Sequence, residues 1–415
     1  MMKFSRRAFF KSSGLALVSF GFAPQFLERA VAETTKRAGK ILVVIFQRGA
    51  ADGLSMVPPT GDAQYHAMRS TTALRPPGRG AGSALRLDDT FSLHPALEAL
   101  YPFWSTGTMA VVHAVGSPKP TRSHFDAQDF LEAGTPGRRA EDGWLNRTLL
   151  SSPQLNASEF RAVALQPNLP RSLLGAAPAV AINSLADFRL RAGRSSAATE
   201  RGFESMYSAA VDGALRHNGQ EIFRALREVQ SVKLEEMPAQ NGARYPNSPL
   251  GKRLADIARL IHADLGMEIA ATDCGGWDTH VNQGNEQGQL AARLRDFGDS
   301  IAAFTTDLRD KMADLCLVTM TEFGRTVKEN GNRGTDHGTG SVMLVLGGGV
   351  RGGRIYGRWT ELKPANLFEG RDLPVTTDYR TVLCEVLGGQ FSLERIDKVF
   401  PGFDPRASPS LRMFG

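Results

Sequence analysis

Five strand-length apolar runs recur along this chain, and they constrain its fold more than any other feature. They are Lys40-Ile41-Leu42-Val43-Val44-Ile45-Phe46, Met109-Ala110-Val111-Val112-His113-Ala114-Val115, the weaker Met267-Glu268-Ile269-Ala270-Ala271-Thr272, Leu315-Cys316-Leu317-Val318-Thr319-Met320-Thr321, and Ser341-Val342-Met343-Leu344-Val345-Leu346, which leads into Gly347-Gly348-Gly349. A strand with one wet face alternates apolar and polar residues, whereas a run apolar throughout is expected of a strand covered on both sides. Helical patterns fall between the runs. They cover residues 200–233, broken near His217-Asn218-Gly219, residues 249–265, with Leu254, Ile257, Ile261 and Leu265 on one face, residues 286–312, and residues 377–388. This alternation predicts an α/β fold, a three-layer α/β/α sandwich around a mostly parallel central sheet. In such sheets ligands collect beyond the carboxyl ends of the strands. The residues bordering the runs are therefore where chemistry is expected.

The first 32 residues follow another pattern. Ser5-Arg6-Arg7-Ala8-Phe9-Phe10-Lys11 sets paired arginines before an apolar stretch, Gly14 to Phe22, that is too short to cross a bilayer, and Ala30-Val31-Ala32 supplies a small-x-small cleavage site. This is the twin-arginine pattern. It predicts a signal peptide of residues 1–32 read by the twin-arginine export machinery, and a mature domain of residues 33–415 in the periplasm or outside the cell. An uncleaved amphipathic anchor is the alternative. Of the net charge of +6, residues 1–32 hold +4, which leaves +2 for the remainder. That balance gives no basis for a nucleic-acid partner or an anionic membrane surface. No later stretch is long enough for a stable membrane span after cleavage. Cys274, Cys316 and Cys384 are an odd number without framework spacing, so no disulfide scaffold is expected. Residues 66–90, rich in Arg, Gly and Pro, read as a long loop.

Each run borders groups that carry chemistry. Asp52 follows the first, and Arg122-Ser123-His124-Phe125-Asp126 follows the second. Asp278-Thr279-His280 follows the third, Glu322-Phe323-Gly324-Arg325 the fourth, and Asp336-His337 precedes the fifth. Divalent ions such as zinc accept imidazole nitrogen and carboxylate oxygen together. Asp278, His280, Asp336 and His337, with Asp52 and Glu322, would supply one or two such sites. Any one pair alone is equally at home holding a turn or capping a helix. Ser123 stands before a helix expected from His124 to Leu131. There it is either an ordinary cap or a nucleophile among free N–H groups that favour an anionic substrate. Arg122 and Arg325 offer forked contacts to anionic oxygens, or are surface arginines. His94, His113, His217 and His262 read as structural.

The stretch Asp278 to Gly349 resembles the alkaline phosphatase-like superfamily, which includes sulfatases and cofactor-independent phosphoglycerate mutases. The chain as a whole resembles DUF1501, a family of twin-arginine-exported proteins usually placed in that superfamily. Asp278 and His280 match an Asp–His metal pair, and Leu315 to Thr321 matches the strand that ends in a metal-binding Asp, where Glu322 stands here. His337, ahead of Gly338-Thr339-Gly340-Ser341, matches a further metal-binding histidine, and Asp52 and Ser123 are similar to the metal-binding Asp and the nucleophile of the first half. The sequence departs from the pattern where Phe323 replaces a histidine of a second metal and where Thr121 competes with Ser123. The resemblance implies an exported hydrolase of phosphate or sulfate esters that uses a divalent metal: zinc, or manganese, calcium or magnesium. Its substrate would be a small anionic ester. A mutase or transferase is a further option. A non-catalytic binding or assembly factor that keeps a degenerate site is the rival, favoured by Phe323.

Overall fold

A computed structural model describes residues 39–186 and 234–414, apart from Arg79, residues 153–157, Glu159 and Glu394, together with Leu15–Ala16. The helices expected within residues 200–233, and all of the export segment except those two residues, lie outside the described residues.

The five runs form the long strands β1 (Ile41–Gln47), β2 (Met109–Gly116), β5 (Ile269–Cys274), β6 (Leu315–Thr321) and β7 (Ser341–Gly347). Four short strands from the body of the chain join them in the main sheet: β3 (Ala162–Ala164), β4 (Val180–Ile182), β8 (Ile355–Tyr356) and β9 (Thr377–Asp378). The order is β4-β3-β5-β1-β6-β7-β2-β8, with β9 also on β2 and Leu15–Ala16 antiparallel to β4 at the far edge. Among β1 to β9, pairing is parallel except that β7 runs against both β6 and β2. This inversion has a direct consequence. β7 begins at the edge where β1, β2, β5 and β6 end, so the segment just before it joins the segments just after them.

Side chains along each central strand alternate between two cores. Val43 and Ile45 of β1 pack on one side, with Leu254 and Ile257 of α3 (Pro249–His262) and Leu294, Phe297 and Ile301 of α4 (Gln289–Asp307). Leu42, Val44 and Phe46 pack on the other, with Leu131 of α1 (His124–Ala133), Leu145 and Leu149 of α2 (Trp144–Ser151), and Val382, Leu383 and Val386 of α5 (Tyr379–Phe391). The architecture is the expected three-layer α/β/α sandwich. Each fully buried Leu, Ile or Val contributes roughly 1.5–3 kcal/mol over its exposed state, and both faces of the sheet are lined with them. The helices start where local chemistry dictates. Ser248 caps α3 through the Gly251 N–H at 3.0 Å and Pro249 takes the first turn, while Asp378 caps α5 through the Arg380 N–H at 2.9 Å. No described helix is long and apolar enough to cross a membrane.

Candidate metal centre

Three imidazoles meet at the carboxyl edge of the sheet. His124 comes from the first turn of α1, His280 from the loop after β5, and His337 from the segment ahead of β7. The Nε2 atoms of His124 and His280 each lie 3.0 Å from His337 Nε2. Asp278 Oδ1 joins them, 3.0 Å from His280 Nε2 and 3.3 Å from His337 Nε2. Ligand atoms of His124, Asp278 and His337 all fall within 4.8 Å of one another.

The far side of each ring fixes its proton. His337 Nδ1 lies 2.9 Å from the backbone oxygen of Arg122, which can only accept, so Nδ1 carries the hydrogen. His124 Nδ1 faces Glu322 Oε1 at 2.8 Å, and His280 Nδ1 faces Asp336 Oδ1 at 3.0 Å. Carboxylates likewise accept. In their neutral form all three rings therefore turn an Nε2 lone pair toward the same place, beside a carboxylate. Bare lone pairs 3.0 Å apart repel, so the arrangement requires a proton or a cation between them. A metal-bound histidine whose other nitrogen donates to a carboxylate or carbonyl has this same pattern.

The electrostatics agree. Burial opposes charge on Asp278, but the Arg325 guanidinium, bonded at 2.6 Å, and His280 and His337 outweigh it and hold the carboxyl below its usual range. Glu322 has a side chain with no exposure, yet His124, Gln128 and the Gly49 N–H together keep it ionised. The bond to Glu322 raises His124, whereas burial lowers His337 and keeps its lone pair free. Asn330 chiefly, then His280, lowers Asp336. Gly49, at φ +116°, brings its N–H within 2.8 Å of Glu322, and a Cβ there would stand 2.8 Å from the backbone nitrogen of Asp278. Only glycine lets these two loops touch.

The sequence-derived candidates separate into groups. Asp278, His280 and His337 supply converging atoms, while Glu322 and Asp336 stand behind the rings. Asp52 is directed elsewhere, and the metal role expected of it is corrected. Both it and Arg69 are fully buried, and its oxygens accept from Arg69 Nη1 at 2.6 Å and Nη2 at 3.0 Å, Ser55 Oγ at 2.7 Å and Gln283 Nε2 at 2.8 Å. Its partners are thus this guanidinium, hydroxyl and amide, with no histidine among them.

Arg325 does not present its fork to a ligand. It is buried, and its nitrogens donate to the backbone oxygens of Gly49, Ala50, Trp277 and Thr335 besides Asp278. The side chain of Arg122 is taken by Asp372 at 2.7 Å and Glu369 at 2.6 Å, and what it gives the centre is its carbonyl. Ser123 caps α1, its Oγ accepting from the Asp126 N–H at 3.4 Å, and its own N–H donates to Thr121 Oγ1 at 3.2 Å. Phe323 walls the cluster, its ring 4.9 Å from that of His124 and 5.0 Å from that of His337.

His124 is the residue that sequence reasoning passed over. The available signal was its place at a helix start after an apolar strand, the same kind of position as the other candidates. Of the remaining histidines, His94 and His113 bond backbone carbonyls of Asn285 and Val57, and His262 bonds Asp307. Burial pushes His94 and His113 down to about 4. His217 lies outside the described residues.

Residues 39–400 match the family described as "Protein of unknown function (DUF1501)". The chain belongs to that family. No curated protein matches this DUF1501 member. Among solved structures it matches a mutant of TAB5 alkaline phosphatase with Mg bound in its M3 site, at 10% identity and a TM-score of 0.30, over 74% of this chain and 90% of that one.

Proposed function

We propose that this DUF1501 member is an exported metal-dependent hydrolase of phosphate or sulfate esters, with one divalent ion held by His124, Asp278, His337 and His280. The observation that carries this is the convergence of three Nε2 lone pairs on a carboxylate, each ring braced from behind by an acceptor. Three imidazoles and one carboxylate suit zinc best, with manganese, calcium or magnesium as alternatives. Once bound, such an ion supplies Lewis acidity toward an ester oxygen and lowers the pKa of a coordinated hydroxyl. Phe323 fills the flank where the superfamily resemblance calls for a second metal's histidine, which favours a single ion.

The residues around the centre divide the remaining work. Glu322, Asp336 and the Arg122 carbonyl hold the rings in orientation and tautomer. Arg325 fixes Asp278 and clamps the loops after β1, β5 and β6. Ser123 presents a hydroxyl at the start of α1, where unpaired backbone N–H groups favour anionic oxygens, and it is our choice for the attacking group over Thr121. Ser123→Ala should cost about 1 kcal/mol of stability through the lost cap, keep its metal, and abolish turnover of aryl phosphate or sulfate esters. Full turnover in that variant would leave Ser123 as a cap only.

Export rests on the paired arginines and the apolar stretch behind them. Replacing Arg6 and Arg7 together by lysine should trap the uncleaved protein in the cytoplasmic fraction, and undiminished recovery from the periplasm would refute the twin-arginine route.

A further inference from the structure

Among the described residues four large apolar side chains are markedly exposed: Phe125 at 90%, Leu150 at 57%, Val281 at 50% and Phe368 at 38%. Isolated exposed apolar residues are ordinary. Two of the four directly follow a cluster histidine in the chain, and a third lies on the loop that holds Arg122. Phe125 is the next residue after His124 and Val281 the next after His280, which sets each Cα about 3.8 Å from that of its histidine. The His124 and His280 rings themselves lie 4.4 Å and 4.7 Å from that of His337. Phe368 pairs through its backbone with Asp372, the residue that holds Arg122, and the adjacent Arg371 donates to the His337 carbonyl. Phe125 has no packing task in its own helix, whose buried positions are Ala127, Leu131, Glu132 and Ala133.

Exposed apolar residues thus stand on three of the chain segments that border the polar centre. We propose that the ester accepted here carries a bulky apolar group, an aryl ring or an alkyl chain, which lies on Phe125, Val281 and Phe368 while its anionic head meets the histidines. This specificity rests on the hydrolase reading above.

The test is calorimetric titration of the full chain, loaded with zinc, using inorganic phosphate, methylphosphonate, butylphosphonate and phenylphosphonate. Affinity should rise about two- to four-fold per added methylene, with butyl- and phenylphosphonate at least about ten-fold tighter than methylphosphonate. Phe125→Ala and Val281→Ala should flatten that gradient and leave inorganic phosphate binding unchanged. Both side chains are exposed, so folding is not at stake. Equal affinity across the phosphonates, with phosphate still bound, would overturn the apolar-group inference and spare the hydrolase reading. Failure of every probe, phosphate included, would overturn both the apolar-group inference and the phosphate-ester reading. Light scattering on the same samples adds a last outcome. A dimer in wild type that Phe125→Ala converts to monomer would assign the rim to a second copy of the chain and overturn the proposal.

Discussion

Asp52→Asn should destabilise the protein by about 3–5 kcal/mol, because it strips the partner from a guanidinium that has no access to water. Arg69 is fully buried, and besides Asp52 it holds Ser55 and the backbone oxygens of Thr326 and Val327. Gln283 couples this pair to the functional edge, since its amide nitrogen donates to Asp52 and its oxygen accepts from Thr279 at 2.7 Å and Thr335 at 2.8 Å. Those two residues precede His280 and Asp336-His337. The pair is thus the floor under the metal-bearing loops. Chemical denaturation of the Asp52→Asn and Arg69→Leu variants and the double variant would measure this, and the double should cost less than the sum of the singles.

The pH dependence has a fixed sign. Burial works against the Asp52 charge, but Arg69, Ser55 and Gln283 outweigh it and lower the pKa in the folded state. The pair's contribution is therefore present above the unfolded value, about 3.9, and is lost as pH falls through the lower folded value. Wild type should lose stability in that acid range, whereas Asp52→Asn should show a shallower slope.

His337→Ala should lose its divalent ion while the sandwich stays intact. His337 is the ring that stands 3.0 Å from both of the other imidazoles, so its removal takes away the central nitrogen of the cluster. Losing an outer-sphere carboxylate typically weakens binding about 10–100-fold. Asp336→Asn should fall in that range, and His337→Ala beyond about 100-fold. Proton and metal compete for the same Nε2 atoms. His124 should take up its proton before His337 on acidification, since Glu322 raises it, while burial holds His337 low. Metal retention in wild type should accordingly decline as pH falls through the His124 range. Equilibrium dialysis across pH, with thermal melts of the metal-free proteins as the folding control, would check both statements.

What could be read from the sequence follows the physics of burial. The five long strands were legible because a strand covered on both faces has to be apolar throughout. The short ones, β3, β4, β8 and β9, hold two or three residues each and carry no periodicity. Asp278, His280 and His337 were legible as strand-edge groups, although the inversion of β7 that seats His337 beside them is a matter of pairing that no local pattern states. Asp52 looked like a ligand because its partner, Arg69, stands 17 residues on, within an Arg-rich loop. Arg122 looked free because Asp372 lies 250 residues away. His124 was hidden by its neighbours. At a helix start the serine before it draws attention as cap or nucleophile, and only the tertiary fold shows the imidazole turned toward Glu322 and His337.

The most direct test of the central claim is the metal content of wild type purified without chelator, by elemental mass spectrometry, beside His124→Ala and His337→Ala. The converging lone pairs predict one divalent ion per chain in wild type and none in either variant. A wild type that carries no ion, and whose melting temperature is unmoved by zinc, manganese, calcium or magnesium, would contradict it.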